Sequence, residues 1–130
     1  MNNNIFLIDK HPIMLHGYGM LFESRGFHTA GMTKIDNDFY DKVKLQEPAF
    51  IIIDCYQFPL ETHAILQFVV QHEINSKIIA LSECEHNIHQ DIWMNSGIVG
   101  YMKKSQAPEK IFEWLLPNVK NGEYKQRNAI

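Results

Sequence analysis

Residues 50–54 read Phe50-Ile51-Ile52-Ile53-Asp54, an unbroken apolar run that ends at a carboxylate. Continuous apolar runs rich in β-branched residues are typical of parallel strands that are covered on both faces. A second run, Ile5-Phe6-Leu7-Ile8, ends in the same way at Asp9. The two stretches therefore predict two buried strands, each with a carboxylate at its carboxyl end.

Helical and extended patterns alternate along the rest of the chain. Three further stretches predict strands, at Phe27 to Gly31, Lys77 to Leu81 and Val99 to Met102. Apolar residues at helical spacing predict five helices, over Ile13 to Phe22, Ile35 to Gln46, Ala64 to Val69, Ile88 to Trp93 and Ile111 to Val119. A loop that contains Pro59 precedes the third helix, and Gly97 follows the fourth. Pro117 is expected to kink or fray the last helix. This alternation predicts an α/β fold, a doubly wound five-stranded parallel sheet with helices on both faces.

Composition and charge narrow the class of protein. The chain has 130 residues, of which 45% are hydrophobic and 21% charged, so we expect one packed domain over residues 1–122, with 123–130 as a tail or the start of a linker. The formal net charge of -3 disfavours nucleic-acid binding by this segment alone. Apolar stretches of about five residues are too short to span a bilayer, and two cysteines do not make a disulfide scaffold. We therefore expect a cytoplasmic protein with no membrane partner.

Polar side chains follow four of the predicted strands. They are Asp9 after the first, Asp54 after the third, Ser82 after the fourth and Lys104 after the fifth. Any one of them alone reads as an ordinary polar strand end. Because ligands of open parallel sheets bind outside the carboxyl ends of the strands, the four together predict a binding site at that edge.

Four segments carry a resemblance to a known family. Ile8-Asp9-Lys10-His11-Pro12 looks like the acidic loop and His-Pro pair of receivers in the LuxR-type transcription-factor group, and residues 51–54 look like a phosphoacceptor strand. The segments Ile79-Ala80-Leu81-Ser82 and Gly100-Tyr101-Met102-Lys103-Lys104, with Pro108 following, are similar to the other two signature segments. Over almost its whole length the chain resembles the receiver domain of two-component response regulators, with the chemotaxis-regulator-like, flavodoxin-like topology.

The resemblance implies a phosphoryl-transfer site. Asp54 would be the phosphoacceptor, and the Ser82 hydroxyl and the Lys104 ammonium would each bind a phosphoryl oxygen. Movement of Ser82 would make space for Tyr101, the switch aromatic. The implied protein is a phosphoprotein of a phosphorelay rather than an enzyme in the ordinary sense.

The resemblance also implies a cofactor and partners. Asp9, Asp54 and a backbone carbonyl near Tyr56 would hold Mg²⁺, which prefers oxygen ligands in octahedral geometry. A sensor histidine kinase would supply the phosphoryl group. Control of transcription, and any contact with DNA, would pass through a helix-turn-helix domain that is not in this chain.

Two departures from the family pattern make the receiver that the resemblance implies an atypical one. Lys10 stands where the family has a second acidic residue, so the site loses a carboxylate and we expect weaker Mg²⁺ binding. Alternatively the Lys10 ammonium lies near the metal position and holds Asp9 and Asp54 in a permanent ion pair, or it points into solvent. In addition, the loop after Asp54 carries Phe58-Pro59 one residue late and lacks the usual glycine. The departures leave open a second function, a phosphorylation-independent pseudo-receiver that acts as a dimerisation or interaction module.

Other patterns favour simpler interpretations. His86 and His89 are spaced for one helix face, and we expect them on a solvated surface rather than in a metal site. Cys55 at the end of a buried strand indicates packing rather than redox chemistry. No glycine-rich loop follows the first strand, which disfavours a nucleotide- or flavin-binding enzyme. An apolar surface that would support a homodimer is predicted from three residues, Phe22, Ile111 and Trp114, with core burial of Trp114 as the alternative.

Overall fold

The computed structural model describes residues 3–82, 98–106 and 110–113. Its strands are β1 Asn4–Ile8, β2 His28–Met32, β3 Phe50–Asp54, β4 Lys77–Ser82 and β5 Ile98–Lys103. Its helices are α1 Pro12–Glu23, α2 Asn37–Gln46 and α3 Pro59–Gln71, with a 3-10 turn at Lys104–Gln106 and helical backbone at 110–113. The predicted helix over Ile88 to Trp93, the surroundings of Trp114 and Pro117, and the proposed boundary at residue 122 lie outside the described residues.

The sheet is parallel throughout, with strand order β2-β1-β3-β4-β5. The chain leaves β1 toward β2 on one side and returns to β3 on the other, so the strand order reverses between β1 and β3. In the register of this pair, Ile8 lies opposite Ile53. Asp9 and Asp54 each follow these paired residues, and the reversal therefore places two carboxylates side by side.

Two apolar cores cover the two faces of the sheet. The core under α2 and α3 includes Phe6, Ile8, Phe39, Val43, Ile51, Ile53, Ile65 and Leu66. The core under α1 and the helical residues 110–113 includes Ile5, Leu7, Tyr18, Phe22, Phe50, Ile52, Ile111 and Phe112. Burial of each large apolar side chain contributes about 1.5–3 kcal/mol to the free energy of folding, so packing on both faces stabilises the sheet. The predicted doubly wound sheet with helices on both faces is confirmed.

Helix starts account for the main differences from the sequence prediction. Pro59, predicted in a loop, is the first residue of α3, where its missing N–H costs no hydrogen bond and its fixed φ suits the helix. The helix predicted from Ile35 begins at Asn37, because the side chain of Asp36 accepts a hydrogen bond from the Phe39 N–H at 3.1 Å and caps the helix. The strand boundaries otherwise differ from the prediction by one residue.

The predicted dimer surface is corrected by the structure. Phe22 and Ile111 are both completely buried in the α1 core, where Phe22 packs edge-on against Phe112 with ring centroids 5.5 Å apart. Helical spacing marked these residues as apolar but did not distinguish an inward from an outward face. Neither side chain is available to a second copy of the chain.

Within the described residues, no helix combines the length and apolar character that crossing a membrane requires.

Candidate functional site

Lys104 bridges the two carboxylates at the reversal of strand order. Its Nζ contacts Oδ2 of Asp9 and lies 2.7 Å from Oδ2 of Asp54. All three side chains are withdrawn from solvent, with residue exposures of 4% for Asp9, 1% for Asp54 and 8% for Lys104. The structure therefore brings three of the predicted site residues into one buried ion cluster, supplied by the ends of β1, β3 and β5.

The remaining carboxylate oxygens accept hydrogen bonds from the loops. Oδ1 of Asp54 accepts from the backbone N–H groups of Tyr56 at 3.0 Å and Gln57 at 2.9 Å. Oδ1 of Asp9 accepts from the backbone N–H of His11 at 2.8 Å, and the Nδ1 atom of the same histidine lies 3.2 Å away. Each of the four carboxylate oxygens therefore has at least one partner from the protein.

The cluster shifts the acidities of its members. Burial alone raises the pKa of Asp9, but hydrogen bonds from Lys104 and His11 outweigh burial and hold this pKa below its ordinary value of 3.8. Burial alone lowers the pKa of Lys104, but the hydrogen bonds to Asp54 and Asp9 hold this pKa above 10.5. Lys104 is therefore charged and Asp9 ionised throughout the neutral range.

Lys10 lies outside this cluster, which corrects the alternative in which its ammonium holds Asp9 and Asp54. The Lys10 Nζ atom sits 5.2 Å from the centroid of the Phe58 ring, in a cation–π contact. The ion-paired arrangement exists, but Lys104 makes it. The reason is geometric: Lys10 is exposed on the loop after β1, whereas Lys104 enters the site from the end of β5.

Ser82, Tyr101 and Tyr56 take positions compatible with their predicted roles, which stay predictions. Ser82 is the last residue of β4 and fully buried, directly after Leu81, the register partner of Asp54. Tyr101 is partly buried against the core under α2 and α3. Tyr56 is 57% exposed, and its backbone N–H faces Asp54.

The donor set fits a magnesium ion. Two carboxylates share one ammonium, so the three buried groups carry one net negative charge. Magnesium in proteins is commonly held by one or two carboxylates together with waters and substrate oxygens, and Asp9 and Asp54 supply that number. In the part of the chain that the structure describes, no three His, Cys, Asp or Glu side chains gather into a metal site, so a bound ion would take its other ligands from backbone, water or phosphoryl oxygens.

Cys55 is a packed core residue rather than a reactive thiol. It is completely buried, and its Sγ donates to the backbone carbonyl of Leu81 at 3.2 Å. Burial raises its pKa to about 12, so the thiolate needed for redox chemistry is not formed near neutrality. His86, His89 and Cys84 lie outside the described residues.

Two residues of the site were missed by sequence reasoning. Gln57 hydrogen-bonds through its side chain to the backbone N–H of Lys10 at 2.7 Å, and no pattern around residue 57 signals this contact. The Tyr18 hydroxyl donates to the backbone carbonyl of Lys104 at 3.3 Å and ties α1 to the end of β5. Tyr18 lies within the helix predicted over Ile13 to Phe22, and a buried tyrosine ordinarily finds a partner for its hydroxyl, which was the available signal.

The chain is similar to known proteins in its structure but not detectably in its sequence. No protein-family model matches the sequence, and no curated protein matches it. Solved structures do match. A signal receiver domain of a response regulator from Bermanella marisrubri superposes with a TM-score of 0.75 at 14% identity, covering 92% of this chain and 100% of that one.

Two further structures are similar. A DNA-binding response regulator of the LuxR family from Staphylococcus aureus gives a TM-score of 0.73 at 14% identity, covering 89% of this chain and 98% of that one. A response regulator from Burkholderia pseudomallei, with a phosphorylated aspartic acid, calcium ion and citrate, gives 0.71 at 15% identity, covering 98% of this chain and 72% of that one. At these identities the likeness establishes the fold, and the predicted receiver fold is confirmed.

Proposed function

We propose that this chain is a signal-receiving regulatory domain of a two-component response regulator and that Asp54 accepts the phosphoryl group. The observation that carries the proposal is the buried cluster in which Asp54, Asp9 and the Lys104 ammonium meet at the reversal of strand order. The likeness in fold to receiver domains, one of which contains a phosphorylated aspartic acid, supports the same function.

The proposed reaction moves one phosphoryl group. A carboxylate oxygen of Asp54 attacks phosphorus, a new O–P bond forms, and the bond from phosphorus to the donor breaks with its electron pair leaving on the donor. Lys104 and the hydroxyl of Ser82 then bind oxygens of the acyl phosphate. Mg²⁺, held by Asp9, Asp54 and a backbone carbonyl near Tyr56, would neutralise charge on the transferring group.

The chain is the acceptor of this group rather than a catalyst that turns over a substrate, so we do not class it as an enzyme. The donor is proposed to be a sensor histidine kinase. The output is proposed to be control of transcription of the LuxR type, transmitted through the position of Tyr101 to a DNA-binding domain on a further segment.

Intact-mass measurement tests this proposal. The chain is incubated with acetyl phosphate and Mg²⁺, alongside Asp54→Asn and, as a matched control, Asp41→Asn on the exposed side of α2. We expect one added phosphoryl group in the unaltered chain and in Asp41→Asn, and none in Asp54→Asn. Equal phosphorylation of Asp54→Asn would remove Asp54 from its proposed role, provided that circular dichroism shows all three proteins folded.

A second function, a phosphorylation-independent interaction module, is favoured by two observations. Lys10 takes the place of the second acid, and the four oxygens of Asp9 and Asp54 already have protein partners. The site is therefore complete as a structural element without a cation. Absence of any mass change at saturating Mg²⁺ and donor, in a folded protein, would select this function over the first.

A further inference from the structure

Gln57 joins the two loops that carry the site. Its side-chain Oε1 accepts a hydrogen bond from the backbone N–H of Lys10 at 2.7 Å, and its Nε2 lies 2.9 Å from Nδ1 of His11. Because Oε1 faces Lys10, the nitrogen end of the amide faces the histidine ring. The backbone N–H of Gln57 donates to Oδ1 of Asp54 at 2.9 Å. One residue thus contacts Asp54 and both residues that follow Asp9.

A second contact fastens the same two loops. The Lys10 ammonium lies 5.2 Å from the centroid of the Phe58 ring, and Phe58 is itself 4% exposed and anchored in the core under α2 and α3. Lys10, Gln57 and Phe58 together form what we call the loop latch. It ties the loop after β1 to the loop after β3 beside the ion cluster.

The latch stabilises an arrangement in which Asp54 has no free oxygen. Its Oδ2 is bound by Lys104, and its Oδ1 by the N–H groups of Tyr56 and Gln57. A cation or a phosphoryl donor that engages Oδ1 must displace these N–H groups. Displacing the Gln57 backbone moves the residue whose side chain also holds Lys10 and His11, so the latch resists opening of the site.

We propose that the loop latch restrains the site and that Gln57 is a positioning residue whose removal raises both Mg²⁺ affinity and the rate of phosphorylation. Weakening a contact made only in the closed arrangement shifts the population toward the open one, and ligands of the open arrangement then bind more tightly. The statement about phosphorylation rests on the proposed function, whereas the statement about Mg²⁺ rests only on the geometry of the carboxylates.

Gln57→Met tests the latch, because methionine keeps the length of the side chain and removes both the carbonyl oxygen and the NH₂ group of the amide. Gln67→Met makes the same change on the exposed face of α3 and is the matched control. Three quantities are measured in each protein: hydrogen exchange of the Lys10 amide by NMR, the dissociation constant for MgCl₂ by NMR titration, and the rate of mass gain with acetyl phosphate. Gln57→Ala is a second variant in case methionine repacks, and thermal melting reports whether each variant is folded.

We expect Gln57→Met to speed exchange of the Lys10 amide by about threefold to tenfold, the range that corresponds to the net loss of one hydrogen bond. We expect its Mg²⁺ dissociation constant to fall and its phosphorylation rate to rise by a similar factor, with Gln67→Met unchanged. Unchanged exchange in both Gln57 variants would show that there is no latch.

Faster exchange with equal, weaker or undetectable Mg²⁺ binding would show that the contact does not restrain the site, and would also overturn the inference. If no protein is phosphorylated but Gln57→Met binds Mg²⁺ more tightly, the proposed function fails and the latch stands. A merely structural role for Gln57 would lower stability without raising Mg²⁺ affinity.

Discussion

Lys104 is the residue on which the charge balance of the site depends, since its ammonium is the group that both Asp9 and Asp54 contact through Oδ2. Lys104→Met keeps the length of the side chain and leaves two buried carboxylates facing each other. We expect a loss of about 3–5 kcal/mol in the free energy of unfolding at neutral pH, measured with urea. The control is Lys42→Met, which breaks an exposed i,i+4 pair with Asp38 and is expected to cost about 0.3–0.5 kcal/mol. Equal losses in the two variants would contradict the account of the cluster.

The same cluster fixes a dependence of stability on pH. The pKa of Asp9 is lowered in the folded chain. Its contribution to the unfolding free energy is therefore complete above pH 3.8 and is lost as the pH falls through the lowered pKa. The pKa of Lys104 is raised, so its contribution is complete below 10.5 and is lost as the pH rises through the raised value. We expect the unfolding free energy to decline at both ends of this range in urea titrations.

Lys104→Met should reverse the change of the unfolding free energy with pH on the acidic side of neutrality. Without the ammonium, the like charges of Asp9 and Asp54 favour protonation of one carboxylate, so the variant should gain stability as the pH falls from neutral toward 3.8. If the unfolding free energies of the unaltered chain and of Lys104→Met fell in parallel as the pH is lowered, the ion pair would not be the cause of the loss of stability in acid.

At the residue scale, the sequence predicts which side chains meet but not how they are oriented. Asp9, Asp54 and Lys104 follow strands, and parallel strands end at one edge, so their convergence follows from the pattern. The direction of a long side chain depends on its local contacts. Lys10 turns toward the Phe58 ring and Lys104 reaches the carboxylates, and the position of Lys10 directly after Asp9 does not indicate which way its side chain turns.

The N-terminus of helix α2 is stabilised by a side-chain cap. Its N-cap is Asp36, whose carboxylate accepts from the Phe39 N–H, and Phe39 is buried in the core that α2 covers. Asp36→Ala removes the cap and should cost about 1 kcal/mol in urea unfolding. Asp41→Ala on the exposed side of the same helix should change stability by about 0.5 kcal/mol or less. A cost for Asp41→Ala as large as that for Asp36→Ala would show that lost charge, not the cap, is responsible.

The sequence predicts whether a segment is a helix or a strand more reliably than it predicts the residues at which the segment begins and ends. The β-branched runs predict β3 and β4 because only strands covered on both faces are apolar at every position. The start of α3 was placed too late because Pro59 and the exposed Leu60 interrupt the apolar spacing, although proline is favoured at a first helical position. Local backbone preference, rather than burial, decides such boundaries.

For the whole molecule, the charge balance predicts that this chain does not bind DNA. A formal net charge of -3 and no basic run longer than Lys103-Lys104 offer few phosphate contacts, and binding to DNA gains free energy mainly through the counterions that such contacts release. Fluorescence anisotropy with a labelled duplex at physiological salt should show no binding. Saturable binding that weakens as salt is added would contradict this expectation.

If Asp54 receives the phosphoryl group, as we propose, the modified residue can be located directly in the sequence. After incubation with acetyl phosphate and Mg²⁺, borohydride reduces an acyl phosphate to an alcohol and converts the modified aspartate to homoserine, which tandem mass spectrometry locates in the sequence. We expect homoserine at position 54, at the end of the strand that pairs with both β1 and β4, and at no other aspartate. Homoserine at another position, or at none in a folded and Mg²⁺-saturated sample, would contradict the claim.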